Sequence, residues 1–214
     1  MQKALGTLIV AFDFSAISAD EFHDWYDSEH LAERLSVPGF ISAQRWLAVD
    51  NPRLSVVTYE VEHVGVLSSP AYRAISGAGF SPWTQRINRS CKLVARYVGS
   101  QILPGDRAAP DAAQGLLLLA MNVDEAAEDE FNRWNDSEHF PRLSAVTGVL
   151  SARRYRCTEG AQKYLAVYHT TTPEVVDSPA WIEARETPWT HRMRAHTRER
   201  MRIVCRRYHR AAEG

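Results

Sequence analysis

Apolar and polar positions alternate along this chain with two periods. Leu5 to Phe14 is a β-branched and aromatic run of strand length, Phe40 to Val49 and Leu54 to Glu62 are two more, parted by the turn signal Asp50-Asn51-Pro52, and Leu93 to Val98 is a fourth. Between the first and second strands, Phe22, Trp25, Ala32 and Leu35 recur at helical spacing. Ser18 with Glu21 makes a capping box at the head of that helix, and Pro38-Gly39 predicts its stop near Ser36. Ser69-Pro70 and Ser81-Pro82 each set an N-cap before a proline at the first helical position, which predicts a second, broken helix. The resulting order is β-α-β-β-α-β, a split βαβ or ferredoxin-like unit of α+β class.

The pattern then runs a second time. Residues 21–46, EFHDWYDSEHLAERLSVPGFISAQRW, align without a gap on residues 130–155, EFNRWNDSEHFPRLSAVTGVLSARRY, at a constant shift of 109, and about 12 of 26 positions are identical. Gly6 meets Gly115 and Tyr59 meets Tyr168 in the same register; after three residues are dropped, Ser81-Pro82-Trp83-Thr84 meets Thr187-Pro188-Trp189-Thr190. The chain therefore reads as two repeats, 1–98 and 115–214, joined by a linker at 99–114 that is rich in Gly, Pro and Ala. Each unit would cover one sheet face with helices and leave the other apolar. The two copies are expected to bury those faces against each other as an intramolecular pseudo-dimer, with further association of whole chains left open.

Composition narrows the function classes. Of 214 residues, 25 are Lys or Arg and 26 Asp or Glu, so a net charge of −1 supplies no global field for nucleic acid. The longest apolar stretch, Gly115 to Met121, falls short of the roughly 18 residues of a bilayer span, and no basic-then-apolar leader precedes the first strand. The expectation is a cytoplasmic protein with a small-molecule substrate and neither nucleic acid nor membrane as partner. Cys91, Cys157 and Cys205, an odd count without paired spacing, fit reduced thiols.

Trp25, Glu29 and His30 followed by Pro38-Gly39, and Trp134, Glu138 and His139 followed by Gly148, form a W-x-x-x-E-H…P-G pattern, with Thr147 in place of the second proline. By this pattern the chain resembles the dimeric α+β-barrel superfamily, and within it the EthD-like proteins. Proteins that look like this include lactone isomerases, polyketide cyclases, cofactor-free monooxygenases, haem enzymes and stress proteins. The resemblance implies a ligand cavity between helices and sheet in each unit, and it favours His30 and His139 as functional residues.

On a wheel of about 100° per residue, Glu29 falls inside the apolar stripe and His30 to its side; Glu138 and His139 repeat this. An inward carboxylate has its pKa raised by desolvation and suits acid–base work, whereas the same glutamate paired with an arginine such as Arg45 would be structural. Asp27 and Asp136 are placed to orient the adjacent histidine and to raise its pKa. Arg45 and Arg154 share a strand face and, with Tyr59 and Tyr168, are candidates to hold an oxyanion. Trp25, Trp83, Trp134 and Trp189 are candidate apolar walls. His139, His169, His191 and His196 match no ligand signature, so neither metal nor cofactor is expected.

The leading expectation is a cofactor-independent enzyme that moves a proton on a small aromatic, cyclic or polyketide-like metabolite, as an isomerase, cyclase or lyase does. A cofactor-free monooxygenase and a non-catalytic ligand-binding or stress-response barrel are the alternatives.

Overall fold

Eight antiparallel strands close into one barrel in a computed structural model that describes residues 4–210. They are β1 (Gly6–Asp13), β2 (Phe40–Ala48), β3 (Leu54–Val61), β4 (Lys92–Leu103), β5 (Gly115–Val123), β6 (Val149–Glu159), β7 (Tyr164–Thr170) and β8 (Thr197–Arg207). Around the barrel the order is β1-β3-β2-β8-β5-β7-β6-β4, so the first four strands stay neighbours, as do the last four. The halves meet along β2–β8 and β4–β6, with Trp46 opposite Arg207 and Tyr155 opposite Gln101.

Both faces of the barrel wall are covered, which explains why β1 and β5 read as nearly continuous apolar runs. Ile9, Ala11, Leu116, Leu118 and Ala120 point inward and pack with Trp46, Tyr97, Tyr155 and Ile203 from both halves. Their neighbours Leu8 and Phe12 face the helices of the first half, and Leu117 faces those of the second.

The interior also holds charge. Arg153 donates to Glu60, each nearly inaccessible, and His169 Nε2 donates to Gln44 Oε1 at 3.2 Å. Glu60 further accepts from Ala109 N at 2.8 Å and Ser42 Oγ at 3.1 Å, so the buried carboxylate is hydrogen-bonded all round.

The helices are α1 (Ala19–Trp25), α2 (Leu31–Leu35), α3 (Pro70–Ala74) and α4 (Pro82–Ser90), then α5 (Glu128–Trp134), α6 (Phe140–Ser144), α7 (Pro179–Arg185) and α8 (Pro188–Arg194). Ser18, Ser69 and Ser81 cap α1, α3 and α4 as their spacing predicts. The first helix is not one continuous α-helix, because a π-helical turn at Tyr26–His30 separates α1 from α2, and another at Asn135–His139 separates α5 from α6.

The expected linker 99–114 also needs correction. β4 continues through Gly99 to Leu103, since those residues form the seam with β6. The remaining connection is fastened to the barrel rim: Gln101 Oε1 accepts from Gly105 N and Arg107 N, and Gln44 Nε2 donates to Pro110 O. Among the described residues, no helix is long and apolar enough to cross a membrane.

Candidate functional site

The π turn decides which side chain of the Glu-His pair enters the interior. Its closing bonds run from Leu31 N to Tyr26 O and from Phe140 N to Asn135 O, which inserts one residue into the α-helical register. Residues five apart then share a face. Trp25 and His30 pack in a tilted pair with 4.3 Å between ring centroids, and Trp134 and His139 stack at 4.2 Å.

The glutamates are turned toward the second helix instead. Ser81 Oγ donates to Glu29 Oε1 at 2.6 Å, and Thr187 Oγ1 donates to Glu138 Oε1 at 2.6 Å. Ser81 and Thr187 are the N-caps of α4 and α8, so each carboxylate clasps a helix start. Trp25 Nε1 donates to Thr84 Oγ1 at 3.0 Å on the same helix, which strengthens the clasp in the first half.

In the first half a cavity of about 320 Å³ lies between the helices and the outer sheet face, lined by Leu8, Val10, Phe12, Tyr26, His30, Arg34, Tyr59, Tyr72, Phe80, Asn88, Leu93 and Arg96. Among the described residues, no carboxylate lines it. Arg34 is 3% exposed, and its guanidinium lies 5.3 Å from the Tyr72 ring centre and 5.7 Å from that of Phe80. Arg34 Nε donates to His30 Nε2 at 3.4 Å. His30 Nδ1, Arg34 Nη1 and the Tyr59 hydroxyl are all buried without a hydrogen-bond partner. Arg96 is held by Glu159.

Electrostatics follow from burial. Desolvation, and then the Arg34 charge, hold His30 well below the usual imidazole range. Burial pushes the Tyr59 phenol well above its usual value, so it stays a donor. The ring is therefore neutral, the reverse of the raised pKa expected from Asp27. That aspartate pairs with Arg45, whose second nitrogen lies 2.6 Å from His23 Nδ1 and whose guanidinium sits 4.0 Å from the Tyr208 ring centre. Arg45 is thus occupied outside the cavity, and its carboxylate partner is not Glu29.

In the second half, a cavity of about 390 Å³ is lined by Leu117, Leu119, Met121, Trp134, His139, Leu143, Trp181, Arg185, Thr190, Arg194, Thr197, Arg200, Met201 and Arg202. Burial, then Arg194, lowers His139 to about 3. Arg154 and Tyr168 line an adjoining crevice of about 30 Å³ with His139 and Trp134. Arg154 itself is held by Asp136 at 2.7 Å and Asn132 at 2.9 Å.

The structure thus gathers His30 with Tyr59, and His139 with Trp134, Arg154 and Tyr168. It leaves Asp27, Asp136, Glu29, Glu138 and Arg45 in structural contacts. Trp25 backs His30 without lining the cavity, Trp83 packs on the first core, and Trp189 donates to Glu130. The remaining histidines are dispersed: His169 is inside the barrel, His191 meets Glu186 and His196 meets Asp124. Among the described residues, no three metal-ligating side chains cluster.

Arg34, Tyr72 and Trp181 were not among the expected site residues. Two signals pointed to them: Arg34 aligns with Leu143, a charge against an apolar residue, and Tyr72 and Trp181 follow the shared Ser-Pro-Ala segments.

No family model and no curated protein sequence matches the chain. Solved structures share its fold. An anthrone oxidase-like protein superposes with a TM-score of 0.66 at 11% identity, over 97% of this chain and 92% of that one. A candidate monooxygenase from Lactobacillus acidophilus NCFM gives 0.58 at 10% over 96% and 94%, and a variant chlorite dismutase from Candidatus Nitrospira defluvii gives 0.61 at 9% over 98% and 93%. At these identities the likeness is one of fold: this chain shares with them an α+β fold built on a closed antiparallel barrel.

Proposed function

We propose that the chain is a cofactor-independent enzyme that removes a proton from a small aromatic or cyclic carbonyl compound in its N-terminal cavity. One observation carries this reading: His30, Arg34 and Tyr59 line one cavity, each carries a buried polar atom without a partner, and among the described residues no carboxylate lines that cavity. Leaving such groups unpaired costs about 1–3 kcal/mol each, and an oxyanion in the cavity would satisfy them. The neutral imidazole of His30 takes the proton from an acidic C–H. The C–H electron pair moves into the carbonyl, and the enolate oxygen meets Arg34 Nη1 and the Tyr59 hydroxyl. At 3.4 Å the Arg34–His30 bond is long, so an oxyanion that engages Arg34 frees the Nε2 lone pair. Its charge also offsets the guanidinium that disfavours the imidazolium. Return of the proton at another carbon completes an isomerisation; attack of the enolate carbon on a second carbonyl of the same molecule, with the proton delivered from His30 to the new alkoxide, completes a cyclisation.

If instead the same carbanion adds dioxygen, a protonated peroxide forms whose O–O bond breaks as the second hydrogen leaves that carbon, so that one oxygen stays on the substrate as a carbonyl, the other leaves as water, and the substrate itself supplies the electrons; the enzyme would then be a monooxygenase. The apolar cavity and the shared fold with an anthrone oxidase-like protein favour that second reading. Exchange of C–H for C–D in D2O under argon, followed by proton NMR over a panel of cyclic and aromatic ketones, tests both at the common step. Exchange lost in His30→Ala supports the proposal, whereas exchange no faster than in buffer for every ketone overturns it. Oxygen uptake on admitting air then separates the two outcomes.

We further propose that the chain consists of two fused ferredoxin-like repeats and works in the cytoplasm. Support comes from the seams, where aligned positions are used twice. Trp46 and Tyr155 correspond, and so do Gln101 and Arg207. Gln44 with His169 likewise mirrors Arg153 with Glu60, as an isologous dimer interface would.

A further inference from the structure

The two cavities place their positive charge differently. In the first half the cation is deep, at Arg34. In the second half the aligned residue is Leu143, and Leu117, Leu119, Met121 and Trp181 make the lining apolar. Here arginines gather from three elements: Arg185 from α7, Arg194 from α8, and Arg200 and Arg202 from β8. Arg200 and Arg202 lie two apart and so share the outer strand face. Beside Arg200 the ladder with β5 is bulged, and Glu199 adopts a left-handed φ of 49°. Bulges of this kind re-aim side chains next to functional sites.

These charges are only half compensated. Glu186 serves both Arg185, at 2.8 Å, and Arg194, at 2.6 Å, while Asp177 serves Arg202 at 2.8 Å. Among the described residues Arg200 has no carboxylate partner, so two positive charges at this cavity remain unanswered. Deeper in, Trp134 is 4% exposed, and its Nε1, like His139 Nδ1, is buried without a partner.

We propose that this C-terminal cavity is a second ligand site, for a molecule with an apolar body and a dianionic head of the phosphate type. The body would fill the space between Leu143 and Trp181, with a polar atom accepting from Trp134 Nε1, and the head would meet Arg200 and its neighbours. Because Trp134 and Trp181 line the cavity, occupancy is read by tryptophan fluorescence, and calorimetry gives the affinity. The probes are 1-naphthyl phosphate, 1-naphthol and inorganic phosphate, and turnover plays no part in the measurement. Naphthyl phosphate is expected to bind at least tenfold more tightly than either fragment, to weaken at least threefold in Arg200→Gln, and to keep its affinity in Arg34→Leu. Leu143→Trp, which fills the cavity, should weaken it at least tenfold; the exposed Arg200→Gln change keeps the test decisive if that variant fails to fold. Equal binding of naphthol, equal binding of inorganic phosphate, or loss of binding in Arg34→Leu would each overturn the proposal. The last would place the ligand in the N-terminal cavity.

Discussion

Arg34 Nε donates to His30 Nε2 at 3.4 Å one turn along the same helix, and among the described residues no carboxylate lines the cavity that the two side chains share. A guanidinium removed from water without a counter-ion is destabilising unless a ligand supplies the charge.

Arg34→Leu is therefore expected to separate stability from binding. The second half carries Leu143 at the aligned position, so a leucine is tolerated at this point of the fold. Urea unfolding at pH 7.5 should show stability unchanged or increased, by up to about 2 kcal/mol, while affinity for aromatic carboxylates falls at least tenfold. A stability loss above about 2 kcal/mol with binding intact would make Arg34 a structural residue.

Histidine burial makes the fold acid-sensitive. His30 and His169 are held well below the usual imidazole range by burial, then by Arg34 and Arg153 respectively. In the unfolded chain both titrate near pH 6.5, roughly. Folding excludes those protons, so their full contribution is present above about pH 6.5 and is lost as pH falls, by at most about 1.4 kcal/mol per pH unit for each ring. Stability measured at pH 7.5, 6.5 and 5.5 should decline at the acid end, and less steeply in His169→Gln. Stability that increases toward pH 5.5 would show the opposite sign.

Glu29 should matter for stability more than for chemistry. Its bond from Ser81 joins the first helix to the N-cap of α4. Glu29→Ala is expected to cost about 1–2 kcal/mol in thermal or urea unfolding and to leave ketone C–H exchange within about twofold of wild type. Loss of exchange at unchanged stability would return Glu29 to the reaction.

The barrel interior offers a sharper stability test. Arg153→Met strands the Glu60 carboxylate, an effect on the order of 3–5 kcal/mol, and adding Glu60→Gln should recover much of it. A double variant no more stable than Arg153→Met would mean that Glu60 is satisfied by Ala109 and Ser42 alone.

The first three strands and the helix caps were legible because each is written in local period and turn chemistry: Ser69-Pro70 and Ser81-Pro82 cap helices as they read. The orientation of the Glu-His pair was not. A wheel of constant pitch places Glu29 inward, and one inserted residue in the π turn gives that place to His30 and Arg34 instead. The partners of Arg45 were hidden for another reason. Asp27 and His23 reach it across the sheet–helix gap, and Tyr208 arrives from the far end of the chain.

The central claim, that the N-terminal cavity stabilises an oxyanion, is tested most directly by the ionisation of a bound phenol. Nitrophenols absorb differently as phenol and phenolate, so absorbance titration in excess protein reports the bound pKa. An apolar cavity alone raises that value, whereas donors from Arg34 and Tyr59 lower it. The account predicts a bound pKa below that in free solution, with the shift abolished in Arg34→Leu; a bound pKa at or above the free value in the wild-type protein would contradict it.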